Sequence, residues 1–139
     1  MPSVSFHSEL TSFKLKDKNR LKKWLHAVAL RHEGKISAIQ FIFCDDEYLL
    51  EINKQYLDHA TLTDIITFRY SEHPDPLESD IYISIERVKE NAAQLSILFE
   101  DELHRVMVHG VLHLLGFKDK TGTEKELMRG EEDFCLKMI

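Results

Sequence analysis

VMVHGVLHLLGF, residues 106–117, contains no formally charged side chain, although Asp, Glu, Lys and Arg make up 30% of the chain. Apolar residues occur on every side of a helical wheel drawn through this stretch, which predicts a helix buried in the core. Only two of its side chains are suited to acid–base or metal chemistry, those of His109 and His113. Because they are four residues apart, they lie one above the other on the same face of the helix.

A glycine and an acidic residue follow the two histidines, giving the pattern His-x3-His-x2-Gly-x2-Asp. Gly116 stands where helices commonly end in the left-handed conformation, and Asp119 comes three residues later. Two imidazoles and a carboxylate returned by such a turn can hold zinc and leave its fourth position open to a water that the metal activates for hydrolysis. We therefore predict that His109, His113 and Asp119 bind one zinc ion per chain and form the catalytic site. The alternative is a buried helix whose histidines bond to backbone carbonyls.

Composition limits the classes of protein to consider. The length of 139 residues predicts one domain with a proper core, and neither a signal peptide nor a transmembrane run of about 18 apolar residues is visible. Without such a run we expect no membrane partner. Cys44 and Cys135 are far apart in sequence and form no CxxC motif, so we expect free thiols in a reducing cytoplasm, with a disulfide as the alternative. The net charge of −6 is not typical of a general nucleic-acid binder, although a local basic patch can still bind RNA.

One such patch, which we call the basic segment, spans residues 14–23. It contains one acidic residue, Asp17, and six cations: Lys14, Lys16, Lys18, Arg20, Lys22 and Lys23. It is either a strip that contacts phosphates or the solvated start of a helix.

Hydrophobic periodicity predicts the element order β-α-β-α-β-β-α-α-α, and hence an α+β domain with a small, mixed four-stranded sheet packed with helices. The predicted strands cover residues 3–10, 35–44, 63–70 and 80–85; the predicted helices cover 18–32, 47–56, 86–98, a stretch from about 100 through the histidines, and 123–138. We further expect Gly34 to stop the first helix and Asp45 to cap the second. An exposed loop is predicted over residues 71–79.

The amphipathic patterns over residues 86–98 and 123–138 predict which side chains of these two helices are buried. Leu95 and Leu98 are expected to face inward from the helix over 86–98. The closing helix is expected to bury three residues: Leu127, Phe134 and Met138. Its start is predicted to be a capping box formed by Thr123 and Glu126.

The histidine pattern resembles the HExxHxxGxxH motif of metzincin peptidases, but Gly110 stands where those enzymes have glutamate. That glutamate is the general base of peptide hydrolysis. Its absence argues against a protease. An RNA phosphodiester, which carries its own 2′-hydroxyl nucleophile, demands less of protein acid–base groups.

Three motifs resemble the YbeY-type endoribonucleases, a family of bacterial rRNA maturation factors. VHGVLHLLGF, residues 108–117, is similar to that family's H-G-x-L-H-L-x-G-Y/F signature. NKQYLDHATLTDIITF, residues 53–68, is similar to its second motif, which ends in T-D-V-L-S-F. SDIYIS, residues 79–84, is similar to its G-D-I-x-I-S strand, with Ser79 replacing glycine. The resemblance runs from about residue 35 onward.

The resemblance implies a single-domain, metal-dependent endoribonuclease over residues 1–139 that holds one zinc and cuts single-stranded RNA. It also implies action on rRNA of the small ribosomal subunit, in rRNA processing and ribosome quality control. A second hypothesis is a ribosome-associated assembly factor without turnover, whose zinc is structural. Two features favour this second hypothesis: the acidic net charge, and Leu57 at a position where the family usually has an arginine. The buried histidine helix with an open metal position favours the enzyme.

Two departures from the family pattern concern the site. Asp119 stands where the family usually has histidine as its third ligand, but aspartate also binds zinc well. Leu57 stands where the family usually has an arginine thought to face the RNA. Such an arginine can stabilise charge on a transferring phosphoryl group. The candidates to replace it are Lys54, Arg69 and Lys118.

Other polar residues of the second motif have ordinary alternatives. Asn53 and Thr63 can bond the backbone at a turn, and Asp64 can brace a strand end or support a ligand histidine. His59, in a polar stretch, could approach the site. His104 points elsewhere on the helical wheel and is expected to be structural.

Overall fold

The computed structural model describes residues 3–9, 11–57 and 63–139 of the chain. In this part of the chain the elements follow the predicted order. The strands are β1 (Ser3–Ser8), β2 (Ile36–Cys44), β3 (Ile65–Arg69) and β4 (Leu77–Ser84). The helices are α1 (Lys18–Arg31), α2 (Asp46–Leu57), α3 (Ile85–Leu95), α4 (Phe99–Leu114) and α5 (Gly122–Leu136).

The sheet has the strand order β1-β2-β4-β3, which confirms the predicted four-stranded mixed sheet. The pairs β1–β2 and β2–β4 are parallel, whereas β3 lies antiparallel to β4 at one edge. One face carries the main core, to which β2 contributes Ile39, Phe41 and Phe43. The other face carries a smaller cluster beneath α2, which includes Leu49 and Ile66.

Helix α4, which contains both histidines, lies at the centre of the main core. It contacts three helices, α1, α3 and α5, and the two strands β3 and β4. Gly110 allows this helix to approach the sheet closely, because a Cβ atom there would lie 3.0 Å from Cδ1 of Ile65 and 3.2 Å from Cδ1 of Ile81. The neighbouring His109 is therefore held next to the edge strand β3.

The end of α4 has the predicted glycine turn. Gly116 adopts a φ of 107°, a conformation that glycine tolerates and other residues rarely adopt. The amide of Phe117 donates to the carbonyl of Leu112 at 3.0 Å, and that of Gly116 donates to the carbonyl of His113 at 3.1 Å. This is the Schellman arrangement, and it turns the chain back so that Asp119 faces the histidines.

The helix α5 differs from the prediction in its register. Its capping box is formed by Thr121 and Glu124, two residues earlier than predicted. The helix therefore buries Met128, Glu132 and Cys135. The prediction for Leu127, Phe134 and Met138 was wrong, since they are 62%, 47% and 36% exposed.

The inward-facing prediction for Leu95 and Leu98 was also wrong, since they are 54% and 71% exposed. Helix α3 ends at Leu95, and Ser96 adopts a left-handed conformation with φ 57°, so the chain leaves the helical path before Leu98. The buried residues of α3 are instead Ile85, Val88 and Ala92.

Three smaller predictions concern the connections. Asp45 caps α2 as expected, with its Oδ1 accepting from the amide of Tyr48 at 2.8 Å. Helix α1 ends near the expected place, but the left-handed residue is Glu33 rather than Gly34. The predicted loop over residues 71–79 is shorter, because β4 begins at Leu77 and its Ser79 is buried with its hydroxyl donating to the carbonyl of Phe68.

Cys44 and Cys135 are buried free thiols, as predicted. Burial raises the pKa of both to about 12, so they stay protonated at neutral pH. Near Cys135, the indole nitrogen of Trp24 donates to that residue's carbonyl at 2.7 Å and ties α1 to α5. Among the described residues, no helix combines the length and apolar character needed to cross a membrane.

Candidate metal centre

The structure brings the three predicted ligands together. His109 and His113 project from α4, and Asp119 reaches them from the turn that follows it. Oδ2 of Asp119 lies 3.4 Å from Nε2 of His109 and 3.4 Å from Nε2 of His113. One donor atom from each residue lies within 4.8 Å of the other two.

This spacing fits a metal ion. Zinc binds nitrogen and oxygen ligands at about 2.0–2.1 Å, and tetrahedral geometry then places neighbouring donors about 3.3 Å apart. The two imidazoles and one carboxylate form a donor set suited to zinc. The three side chains are 22–39% exposed, so one side of the cluster faces solvent and leaves room for a further ligand.

Glu132, which the sequence interpretation missed, supports the cluster from behind. Its carboxylate is buried and accepts from Nδ1 of His109 at 2.6 Å and from Nη1 of Arg105 at 3.0 Å. With an Nδ1 proton held in this way, Nε2 of His109 would be the ring atom left to bind a metal, on the side that faces Asp119. The sequence signal for Glu132 is an acidic residue on the otherwise apolar buried face of α5. It can be recognised only when the register of that helix is assigned correctly.

The charges around the two histidines move their pKa values apart. Burial acts to lower the pKa of His109, but the hydrogen bond and charge of Glu132 outweigh it and raise that pKa above its ordinary value. Burial and the neighbouring His109 lower the pKa of His113. The surroundings of His109 therefore favour its charged form, whereas those of His113 favour its neutral form.

A cavity of about 540 Å³ opens in front of the donors. Of the three cations considered as replacements for the family arginine, Arg69 lines this cavity, whereas Lys54 and Lys118 do not. The Arg69 guanidinium donates from Nη2 to the carbonyl of His113, which holds it beside the candidate ligands. The remaining lining residues are Asn53, Thr63, Asp64, Ile65, Ile66 and Thr67.

Asp64 lies between the cavity and the sheet. Its carbonyl accepts from the amide of Ser84 at 3.0 Å, so it braces the start of β3 as one prediction held. Burial raises the pKa of its carboxyl, which accepts from Nδ2 of Asn91 at 3.4 Å. The residue bonded to the ligand His109 is Glu132 rather than Asp64.

The other polar residues fall into three groups. Asn53 is buried in the wall of the cavity, and Thr63 donates to the carbonyl of Ile65 at 3.3 Å, as expected of a turn residue. His104 packs edge-on against Trp24, with 5.9 Å between ring centroids, away from the cavity, as predicted for a structural residue. His59 lies outside the described residues.

Comparison with known proteins identifies the family. The profile of the family described as endoribonuclease YbeY matches residues 4–139. The chain belongs to this family. Endoribonuclease YbeY of Flavobacterium psychrophilum is 50% identical over 136 residues, covering 98% of this chain and 96% of that protein. The YbeY protein of Cytophaga hutchinsonii is 46% identical, with coverage of 98% and 95%.

One solved structure has a similar fold. The solution structure of a Thermotoga maritima protein superposes with a TM-score of 0.70 at 24% identity, covering 98% of this chain and 88% of that one. This likeness concerns the fold alone. The family profile, in contrast, extends the resemblance noted from about residue 35 to almost the whole chain. The signature at residues 108–117 contains His109 and His113, two of the three clustered donors.

Proposed function

We propose that this chain is a zinc-dependent endoribonuclease that cuts single-stranded RNA in the cytoplasm. Its proposed substrate is rRNA of the small ribosomal subunit, during maturation and ribosome quality control, and residues 1–139 are proposed to act as a single catalytic domain. The observation that carries the proposal is the cluster of His109, His113 and Asp119 in the wall of a cavity that also holds Arg69. Family membership supports the choice of RNA as substrate.

The residues at this site have different proposed roles in catalysis. A zinc ion held by the three donors would supply Lewis-acid stabilisation of negative charge at the phosphodiester. Arg69 adds a fixed positive charge, and its guanidinium can donate further N–H groups to phosphate oxygens while its contact with the His113 carbonyl limits its motion. Glu132 keeps the proton of His109 on Nδ1 and thereby orients the ring.

The test is cleavage of a labelled single-stranded fragment of small-subunit rRNA precursor. We expect cleavage by the wild-type protein, its loss with a chelator or in His113→Ala, and its recovery on adding zinc to the chelated wild type. The same fragment annealed to its complement should resist cleavage. Metal analysis of the dialysed protein should give one zinc per chain. Cleavage that survives both the chelator and His113→Ala would contradict the proposal.

The role of Arg69 can be separated from general charge effects. Arg69→Ala should reduce kcat/KM by roughly 100-fold, the scale found when a donor to developing anionic charge is removed. Lys54→Ala is the matched control, because Lys54 lies outside the cavity and pairs with Glu51 at the helix surface. An equal effect of the two substitutions would show that Arg69 contributes only to overall charge.

A second candidate is an assembly factor that binds small-subunit rRNA without cleaving it and uses the metal structurally. Leu57, in place of the family arginine, and the net charge of −6 favour it. This candidate predicts RNA binding that persists in His113→Ala together with no turnover by the wild type under any metal.

A further inference from the structure

The tyrosines of this protein are concentrated in one place. All four tyrosines of the chain line a single cavity of about 480 Å³, which we call the tyrosine cavity. Its other lining residues are Glu51, Ile52, Gln55 and Phe68. Tyr48 and Tyr56 come from α2, Tyr82 comes from β4, and Tyr70 directly follows β3. Because none of the four tyrosines lies elsewhere, this clustering sets the surface apart from the rest of the molecule.

The tyrosine cavity lies directly behind the metal centre. Successive residues of a strand point to opposite faces of the sheet. Accordingly Thr67 and Arg69 line the cavity of the metal centre, whereas Phe68 and Tyr70 line the tyrosine cavity. Strand β3 is the edge strand of the sheet, so among the described residues a single strand lies between the two cavities. An RNA chain that occupies both cavities would run around this edge.

The rings are arranged so that some of their faces remain open. Phe68 packs edge-on against Tyr56 and Tyr82, with 5.8 Å between ring centroids in both pairs. Tyr56 is 67% exposed and Tyr70 is 60% exposed, which is unusual for large side chains next to an apolar cluster. These two rings therefore offer apolar surface on which a planar ligand can stack.

The charged groups beside the two cavities favour different parts of a nucleotide, the base in one cavity and the phosphate in the other. The tyrosine cavity has one acidic residue in its lining, Glu51. A second, Asp80, is bonded to a lining residue, because its Oδ2 accepts from the Tyr70 hydroxyl at 2.9 Å. These carboxylates repel a phosphate but can accept hydrogen bonds from the amino groups of a base. Across the edge strand, Arg69 attracts phosphate. Burial and the bond to Asp80 raise the pKa of Tyr70 to about 12, so this ring is neutral at physiological pH.

We propose that the tyrosine cavity is a nucleobase subsite, which stacks an unpaired base of the RNA whose backbone lies at the metal centre. The inference rests on the proposed function for its substrate class. It gives a physical basis for a preference for single strands, because a base in a duplex is already stacked and paired and cannot enter the cavity. Stacking on aromatic rings also tolerates any base, as expected of a subsite that does not read sequence.

The kinetic test uses the double variant Tyr56→Ala/Tyr70→Ala with a short single-stranded RNA. We expect KM to rise about 10- to 100-fold, the loss corresponding to one stacked base, while kcat and the zinc content stay at wild-type values. Tyr56→Phe/Tyr70→Phe should keep the wild-type KM, because the rings remain. Leu30→Ala/Leu127→Ala is the matched control, since these leucines are also exposed, at 71% and 62%, but lie elsewhere.

A binding test does not depend on cleavage. Protein labelled with 3-fluorotyrosine has four fluorine signals, and all of them report on this cavity. Adenosine 5′-monophosphate should shift the signals of Tyr56 and Tyr70, whereas ribose 5-phosphate should not. Equal shifts with both ligands, no shift with the nucleotide, or an unchanged KM in an active Ala double variant would overturn the inference. A wild-type protein that binds the nucleotide at this cavity but never cleaves RNA would instead overturn the proposed function alone.

Discussion

At the scale of single residues, the proposed metal centre depends on Asp119, the one of its three donors that does not come from α4. Without its carboxylate, two imidazoles remain, which make a poor zinc site. We predict that Asp119→Ala loses most of its metal on dialysis, whereas Asp119→His, which supplies another nitrogen donor, retains it. Metal content of the dialysed proteins is the measurement. If the alanine variant retains stoichiometric zinc, another residue closes the site.

Glu132 supports the same site through His109. Removing an acceptor from a ligand histidine typically costs 10- to 100-fold in metal affinity, so Glu132→Ala should weaken zinc binding by about that factor. Competition with a chromophoric chelator measures the affinity. The matched control is Asp133→Ala, because Asp133 binds the other end of the Arg105 guanidinium at 2.7 Å and has no bond to His109. Equal losses in the two variants would show that Arg105, and not the histidine contact, matters.

At the scale of elements, one carboxylate joins two helices. Asp46, in the first turn of α2, accepts from the Ser84 hydroxyl at 2.6 Å and from the Arg87 guanidinium at 2.9 Å, at the start of α3. Burial acts to raise the pKa of Asp46, but these bonds outweigh it and hold the pKa below its usual range. The folded state is thus stabilised at pH values above the ordinary carboxyl pKa, and this stabilisation is lost as the pH falls through the lowered value.

Asp46→Asn should therefore reduce the free energy of unfolding by about 1.5–3 kcal/mol at pH 7, the scale of a lost hydrogen bond to a charged group. The difference from wild type should shrink as the pH is lowered through and below the ordinary carboxyl pKa, because wild-type Asp46 is then progressively protonated. Urea denaturation at several pH values measures this. Asp75→Asn, in the exposed loop before β4, serves as the control; a difference that stays constant with pH would contradict the argument.

The elements also show what could be read from the sequence and what could not. The features of α4 depend on residues that are close together in the sequence, so its burial, its glycine turn and the spacing of its donors were predictable. The register of α5 was not, because the overlapping pairs Thr121–Glu124 and Thr123–Glu126 both fit a capping box. Packing against α4 decides between them, and with that choice Glu132 turns inward. The tyrosine cavity joins residues up to 34 positions apart, which periodicity alone cannot bring together.

At the scale of the whole molecule, charge is distributed unevenly. The basic segment remains largely exposed, and part of it lies against the first turn of α4, whereas the metal ligands lie near the other end of that helix. If the segment binds phosphates, Lys16→Glu/Lys18→Glu should weaken RNA binding and reduce the slope of log affinity against log salt by about 1.4, or about 0.7 per contact with a single strand. Fluorescence anisotropy at several salt concentrations measures the slope. An unchanged slope would mean that the segment is only a solvated helix start.

The hydrogen bond between Trp24 and the carbonyl of Cys135 allows the position of α5 to be followed by tryptophan fluorescence. Trp24 is the single tryptophan of the chain and is 3% exposed, so its emission depends on the position of α5. Water reaching the indole on detachment of that helix would move the emission to longer wavelength. Because α5 carries Glu132, the emission reports whether the carboxylate behind the metal centre is in place. Docking of α5, and with it the position of Glu132, can thus be followed by fluorescence without a label.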